Sequence, residues 1–303
     1  MKNTKEKIIE SIHNGTLINQ TLRKFEEPHN ITNRTAFEIE VQSRISKKMK
    51  KEFGSILNKH YNNQSVATSN IIWTCWLQGL REAPEIVKVC VASLKKLEPR
   101  YKVIVLDKDN LKKYVRLPNY IINKFERGII SPAQYTDLIR TYLLCEVGGV
   151  WIDSTVLFTG KTLPNYIENE DLFLYKNIVN AHNDLAILCS SWLISAKPKH
   201  PILLMTRDLM WEYWKKYNYC CNYYIWHIMF SLAAQQNYEL WEKVPTIPNA
   251  IPHLLQMELN KKFEVTRWNE LVKMCDIHKL TYKGMLNDNK NSVYSHILEC
   301  SFM

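Results

Sequence analysis

Short β-branched runs alternating with helix-spaced apolar residues constrain this chain more than any other feature. Asn70-Ile71-Ile72-Trp73-Thr74-Cys75-Trp76 has the near-continuous apolar character of a buried strand, and the KVIVL of residues 102–106 repeats it. Between them, Ile86, Val87, Cys90, Val91 and Leu94 recur at helical spacing, with Pro84 suited to a first turn. Strand, helix and strand make a β-α-β unit, so the spacing predicts an α/β fold with a mostly parallel sheet flanked by helices. Ser131-Pro132 then offers an N-cap and an N1 proline for a helix through about Glu146. Gly148-Gly149 stops that helix, and Val150-Trp151-Ile152 begins a third strand.

Residues 1–66 read differently, as an N-terminal helical extension preceding an α/β domain of residues 67–303. Phe37, Val41, Ile45, Met49, Phe53 and Leu57 recur every four residues, which is one face of a helix. The opposite face is basic: residues 41–60 hold six Lys or Arg against Glu52 alone. Such a helix either lies apolar face down on an anionic membrane or packs its stripe on the main domain and solvates its lysines.

Composition narrows the function. The 303 residues are 46% hydrophobic and 23% charged, which excludes a disordered, collagenous or coiled-coil chain. A formal charge of +10 suits an anionic partner: nucleic acid, a membrane surface or a phosphorylated small molecule. No signal-peptide core opens the sequence and no apolar run is long enough to cross a bilayer, so a cytoplasmic location is expected. The eight cysteines form no C-x-x-C pair and read as reduced, structural thiols.

An acid directly after a strand is well placed for function, because ligands of open α/β sheets bind beyond the strands' carboxyl ends. Asp153 holds that position, followed by Ser154 and Thr155. One helix earlier, Asp137 and Arg140 lie three apart on one face and could hold a polar ligand between them; an ordinary intrahelical ion pair has the same spacing.

The ordered string SPAQYTDLIRTYLLCEVGGVWIDSTV, preceded by IIWTCWLQG, resembles the sugar-nucleotide transferases with a DXD motif. In particular it is similar to the bacterial capsular polysaccharide synthesis proteins related to glycosyltransferase family 32. The likeness continues through SSWLISAKPKHP and YWKKYNYCCNYYIWHIMF to HKLTYKG, about residues 69 to 284. It implies a GT-A-like, Rossmann-type fold and a hexosyltransferase that takes a sugar from a nucleoside-diphosphate donor, most simply UDP-linked. The acceptor it implies is a lipid-linked surface polysaccharide precursor, with retention of anomeric configuration and a place on the cytoplasmic face of the inner membrane.

Carried over by residue, the resemblance gives donor-binding roles to Trp73, Trp76, Gln78, Tyr135, Asp137, Arg140, Asp153, Ser154 and Lys283. Asp153, His278 and Lys279 would act on the departing diphosphate. Asp153 and His278 would hold a divalent metal, Mn2+ or Mg2+. The third DXD position is Thr155, so the usual second carboxylate is missing, and Lys279 with Lys283 could stand in for the metal. Asp184 and His227 are candidate acceptor contacts, although a buried structural histidine suits the aromatic stretch around His227 equally. His253 reads as a surface residue or a pocket wall, and Trp211, Tyr213, Trp214 and Tyr217 as core.

Two rivals belong beside this reading. Ile152-Asp153-Ser154-Thr155-Val156 faintly resembles the nucleophile loop of haloacid-dehalogenase-like phosphatases, but two strands precede it and Thr155 takes the second acid's place. A non-enzymatic basic scaffold for membrane or nucleic acid would use Lys47-Lys48-Met49-Lys50-Lys51. The chain carries no nucleic-acid module signature, so no nucleic-acid partner is expected.

Overall fold

The computed structural model describes residues 12, 31–62, 69–98, 100–177, 186–284 and 290–299. In chain order its principal elements are α1 (Ile31–Glu52), β1 (Ile71–Cys75), α2 (Glu85–Leu94), β2 (Lys102–Leu106), α3 (Asn119–Glu126), α4 (Pro132–Glu146) and β3 (Gly149–Ile152). There follow β4 (Val156–Phe158), β5 (Leu172–Lys176), β6 (Cys189–Ala196), α5 (Pro201–Lys216), α6 (Ile225–Gln236), α7 (Val265–Met274), β7 (Ile277–Lys279) and α8 (Val293–Glu299).

The central sheet has the order β2-β1-β3-β6-β5. β1 is parallel to both β2 and β3, whereas β6 runs against β3 and β5, so four of the five strands share one direction. A second, two-stranded sheet pairs β4 with β7. Strand alternation sorts the apolar residues to two sides. Trp73, Trp151, Leu174 and Ile194 join the core beneath α4, α5 and α6. Ile72, Val150, Phe173 and Leu193 meet Val156, Phe158 and Ile277 on the other side. Burial on both faces is why β1 and β3 read as near-continuous apolar runs.

Local chemistry places α4 and β3 as the sequence predicts. Ser131 Oγ caps α4 by accepting from the Gln134 N–H at 3.3 Å, with Pro132 in the first turn. Gly148 and Gly149 both have positive φ, +73° and +97°. A Cβ at Gly148 would stand 2.7 Å from Pro198 Cδ, and one at Gly149 would strike the Ile71 carbonyl oxygen. The pair therefore ends α4 and lets β3 approach β1 closely.

The N-terminal helix follows the packing reading. Val41, Ile45, Met49 and Phe53 are buried in the core that also holds Trp151, Tyr213, Trp214 and Trp226. The Phe37 side chain lies outside the described residues. Each buried side chain of this size stabilises by about 1.5–3 kcal/mol. The apolar-face-down membrane arrangement is thereby corrected, because that face is already covered by α6 and the core around it. Arg44, Lys47, Lys50 and Lys51 stay exposed. No helix among the described residues is long and apolar enough to cross a membrane.

Candidate active site

Parallel strands converge on a cleft beyond the carboxyl ends of β1 and β3. Asp153 follows β3 directly, and its N–H donates to the Trp192 carbonyl on β6 at 2.8 Å. Its Oδ1 accepts from Arg140 Nη2 at 3.2 Å and from Trp151 Nε1 at 3.0 Å, and its Oδ2 lies 3.7 Å from Lys279 Nζ. Arg140 is almost fully buried. Its other nitrogen, Nη1, donates to the Ser191 carbonyl at 2.6 Å and sits 3.3 Å from Asp137 Oδ1, and the guanidinium lies over the Trp151 ring at 5.1 Å. One arginine thus holds two carboxylates that belong to different elements. Burial pushes the Asp137 carboxyl up to about 7 against the pull of Arg140, with the Asp153 charge adding to the rise.

Lys279 reaches the cleft because β7 pairs with β4. Val156 opposes Lys279, and the Leu280 N–H donates to the Thr155 carbonyl at 2.9 Å. Lys279 Nζ then donates to Thr155 Oγ1 at 2.5 Å. The ammonium bridges Asp153 and Thr155, the first and third positions of the acidic turn.

Two connected chambers open here. The first, of about 600 Å³, is lined by Trp76, Gln78, Asp137, Arg140, Lys279 and Lys283 among others. Trp76 meets Tyr282 edge to face at 5.2 Å, and Lys283 lies over the Tyr282 ring. The second, of about 750 Å³, extends past His253 and Trp192 toward α1. His227 lines both. Burial, with the Arg140 charge added, pushes it down to about 3, so the ring is neutral at pH 7.

Several sequence expectations need correction. Trp73 is a core residue, its indole N–H donating to the Gly148 carbonyl at 2.9 Å and its ring against Tyr114. Tyr135 stacks on Phe125 at 3.9 Å and is buried away from both chambers. Tyr135 neighbours Thr136, which lines the first chamber, and the helical turn points it the other way; Trp73 shares a strand face with Cys75, which reaches the chamber, but lies deeper along β1 in the core. His278 is 1% exposed and lines neither chamber. Its Nε2 is 3.2 Å from Thr159 Oγ1, and burial pushes it down to about 4. Alternation along β7 sends His278 inward and Lys279 to the cleft. Ser154 lines the first chamber as expected. Asp184 lies outside the described residues.

A divalent metal held by Asp153 and His278 does not fit this arrangement. His278 is engaged elsewhere, the Asp153 oxygens already face a guanidinium, an indole N–H and an ammonium, and Thr155 carries no charge. Among the described residues no group of three His, Cys, Asp or Glu side chains could hold a metal ion.

Sequence reasoning missed Trp192 and left His253 open. Trp192 sits within an all-buried strand and looks like core, yet its indole N–H donates to Asn249 Oδ1 at 2.8 Å at the chamber wall. His253 Nδ1 lies 2.7 Å from the Asn249 carbonyl. No local pattern announces either; only Pro248 and Pro252, bracketing the turn before His253, hint at a fixed loop.

Fold and site together define an α/β protein with a cationic, carboxylate-anchored ligand cleft at its strand ends. The chain belongs to the capsular polysaccharide synthesis protein family, whose family model matches residues 26–297. No curated protein matches. Among solved structures it is similar to a PaToxG glycosyltransferase, at 14% identity over 68% of this chain and 83% of that chain, with a TM-score of 0.39.

Proposed function

We propose that the protein is a glycosyltransferase that moves a sugar from a nucleoside-diphosphate donor, UDP-linked in the simplest reading, to a lipid-linked capsular polysaccharide precursor, with retention of configuration. The observation that carries this is the Asp137–Arg140–Asp153–Lys279 cluster at the strand ends of a capsule-synthesis family member. The donor fits the first chamber. Trp76 offers an aromatic edge to a base, Asp137 and Asp153 offer acceptors for sugar and ribose hydroxyls, and Lys279 and Lys283 offer cations to a diphosphate. As the sugar–phosphate bond breaks, negative charge grows on the diphosphate, and cations fixed beforehand stabilise it most. In this reading the tethered ammonium of Lys279 does the neutralising, and the protein works without a divalent metal.

Arg140 acts one step back. It fixes the carboxylates of Asp137 and Asp153, so donor hydroxyls meet acceptors that do not have to reorganise. Asp153, with two hydrogen bonds on Oδ1 and the Lys279 ammonium paired with Oδ2, has the partners of a fixed anchor, which supports the transferase reading over an aspartyl-phosphate nucleophile. The basic face of α1 could meet an anionic bilayer through Lys47, Lys50 and Lys51 alone, a purely electrostatic contact. Radiolabelled sugar transfer to membrane-extracted glycan tests the assignment: Asp153→Ala and Lys279→Ala should each lower it by about 100-fold or more while circular dichroism stays unchanged. Full transfer by either variant contradicts it.

A further inference from the structure

We infer that the second chamber holds the acceptor as a neutral sugar ring, and that α1, outside the α/β layers, forms its outer wall and selects which sugar enters. This rests on the transferase reading above. Asp153, Ser191, Tyr223, His227, His253 and Lys279 line both chambers, so occupants of the two would meet across one shared set of atoms.

Charge assigns the occupants. The first chamber has Arg140, Lys279 and Lys283 against Asp137 and Asp153, and the raised Asp137 carboxyl carries only part of its charge near neutral pH. That balance suits a diphosphate. The second has Lys176 and Lys279 against Glu38 and Asp153, an even balance with no surplus for an anion. Its remaining wall is aromatic and amide-like: the exposed Tyr224 offers a ring to the chamber, Trp192, stacked on Tyr175, backs the wall, and Asn249 and Gln42 provide hydrogen-bonding groups. Aromatic faces against C–H surfaces, with a few fixed polar groups, match a hexose.

His253 has a defined role at the junction. The Asn249 carbonyl only accepts, so Nδ1 carries the proton, and Nε2 of the neutral ring keeps its lone pair. Burial holds the ring below the usual histidine value, with Lys279 adding to the drop and the Asn249 contact opposing it. A neutral Nε2 can accept from an incoming hydroxyl, which makes His253 a positioning residue for the acceptor.

The α1 contribution follows from helical spacing. Glu38, Ile39 and Gln42 line the chamber, while Val41, Ile45 and Met49 of the same helix are locked in the core. The chamber-facing turn is therefore held by packing, as a fixed wall rather than a flap.

The test uses the full chain, the donor that binds it by calorimetry, and a panel of methyl and octyl hexosides as acceptors. Gln42→Trp and Ile39→Trp narrow the chamber from the helix side, and Gln42→Ala widens it. Donor Kd should stay within about twofold, while acceptor KM rises about tenfold or more in the Trp variants, which is 1.4 kcal/mol or more. Gln42→Ala should change the order of preference among the hexosides. A lower KM for octyl than methyl glycosides would mark a lipid-linked source; equal values would mark the free glycan end. Unchanged KM and unchanged preference in folded variants overturn the inference. So does a wild type that binds donor yet uses none of the hexosides. Wild type that binds no donor at all contradicts the transferase reading itself.

Discussion

The first chamber takes its charged groups mainly from one stretch of chain, Asp137 to Asp153, completed by Lys279 on β7 and Lys283 just beyond it. The second gathers α1, β6, the Asn249 turn and His253, segments far apart along the chain, from Glu38 to His253. The difference matters for what each can tolerate. In the first, one buried arginine ties two carboxylates together, so function and stability share the same bonds. In the second, the wall is contact surface carried by elements that are stable for other reasons.

Arg140→Met should break this comparison hardest. It strands Asp137 and Asp153 without their guanidinium, and removing one partner of a buried pair costs about 3–5 kcal/mol. Urea unfolding should show that loss alongside abolished donor binding, whereas a Gln42→Ala variant unfolds like wild type. Lys279→Ala should come next, with transfer falling about 100- to 1,000-fold and the unfolding midpoint little moved. Met49→Ala and Ile45→Ala should each destabilise by about 2–5 kcal/mol, because α1 is part of the core; a change near zero would return the helix to a detachable extension.

A further effect concerns pH. The Asp137 carboxyl rises from 3.8 to about 7 on folding, so the folded state binds a proton more tightly than the unfolded state. That contribution to stability is complete below about pH 4 and lost as pH climbs through 7. Chemical denaturation across this window should show the decline in wild type and a flatter profile in Asp137→Asn. Smallest of all, Lys47→Ala and Lys50→Ala should shift stability by under about 0.5 kcal/mol while weakening adsorption to anionic vesicles.

The same contrast explains what could be read from sequence. β1, α2, β2, α4 and β3 were legible because their signals are local: apolar runs buried on two faces, a Ser-Pro cap, a Gly-Gly stop. Asp153, Asp137 and Arg140 were legible because one helix and one strand end bring them together. Trp73, Tyr135 and His278 misled because a motif gives only a neighbourhood: the helical turn and the pleat decide which side Tyr135 and His278 face, and depth along β1 keeps Trp73 in the core. Trp192 and His253 carried no local signal; their placement depends on Asn249, whose side chain and carbonyl hold one each. The fate of α1 depended on what its apolar stripe would meet, and α6 lies two hundred residues away.

The proposed chemistry of this cleft is binding of a nucleoside-diphosphate sugar through side-chain cations without a metal. Calorimetry with a panel of UDP-, GDP- and CDP-sugars, in manganese and then in EDTA, for wild type and Asp153→Asn, tests it most directly. One donor should bind selectively, equally in both conditions, and its binding should be lost in Asp153→Asn. Binding that vanishes in EDTA, or no binding to any donor, would contradict it.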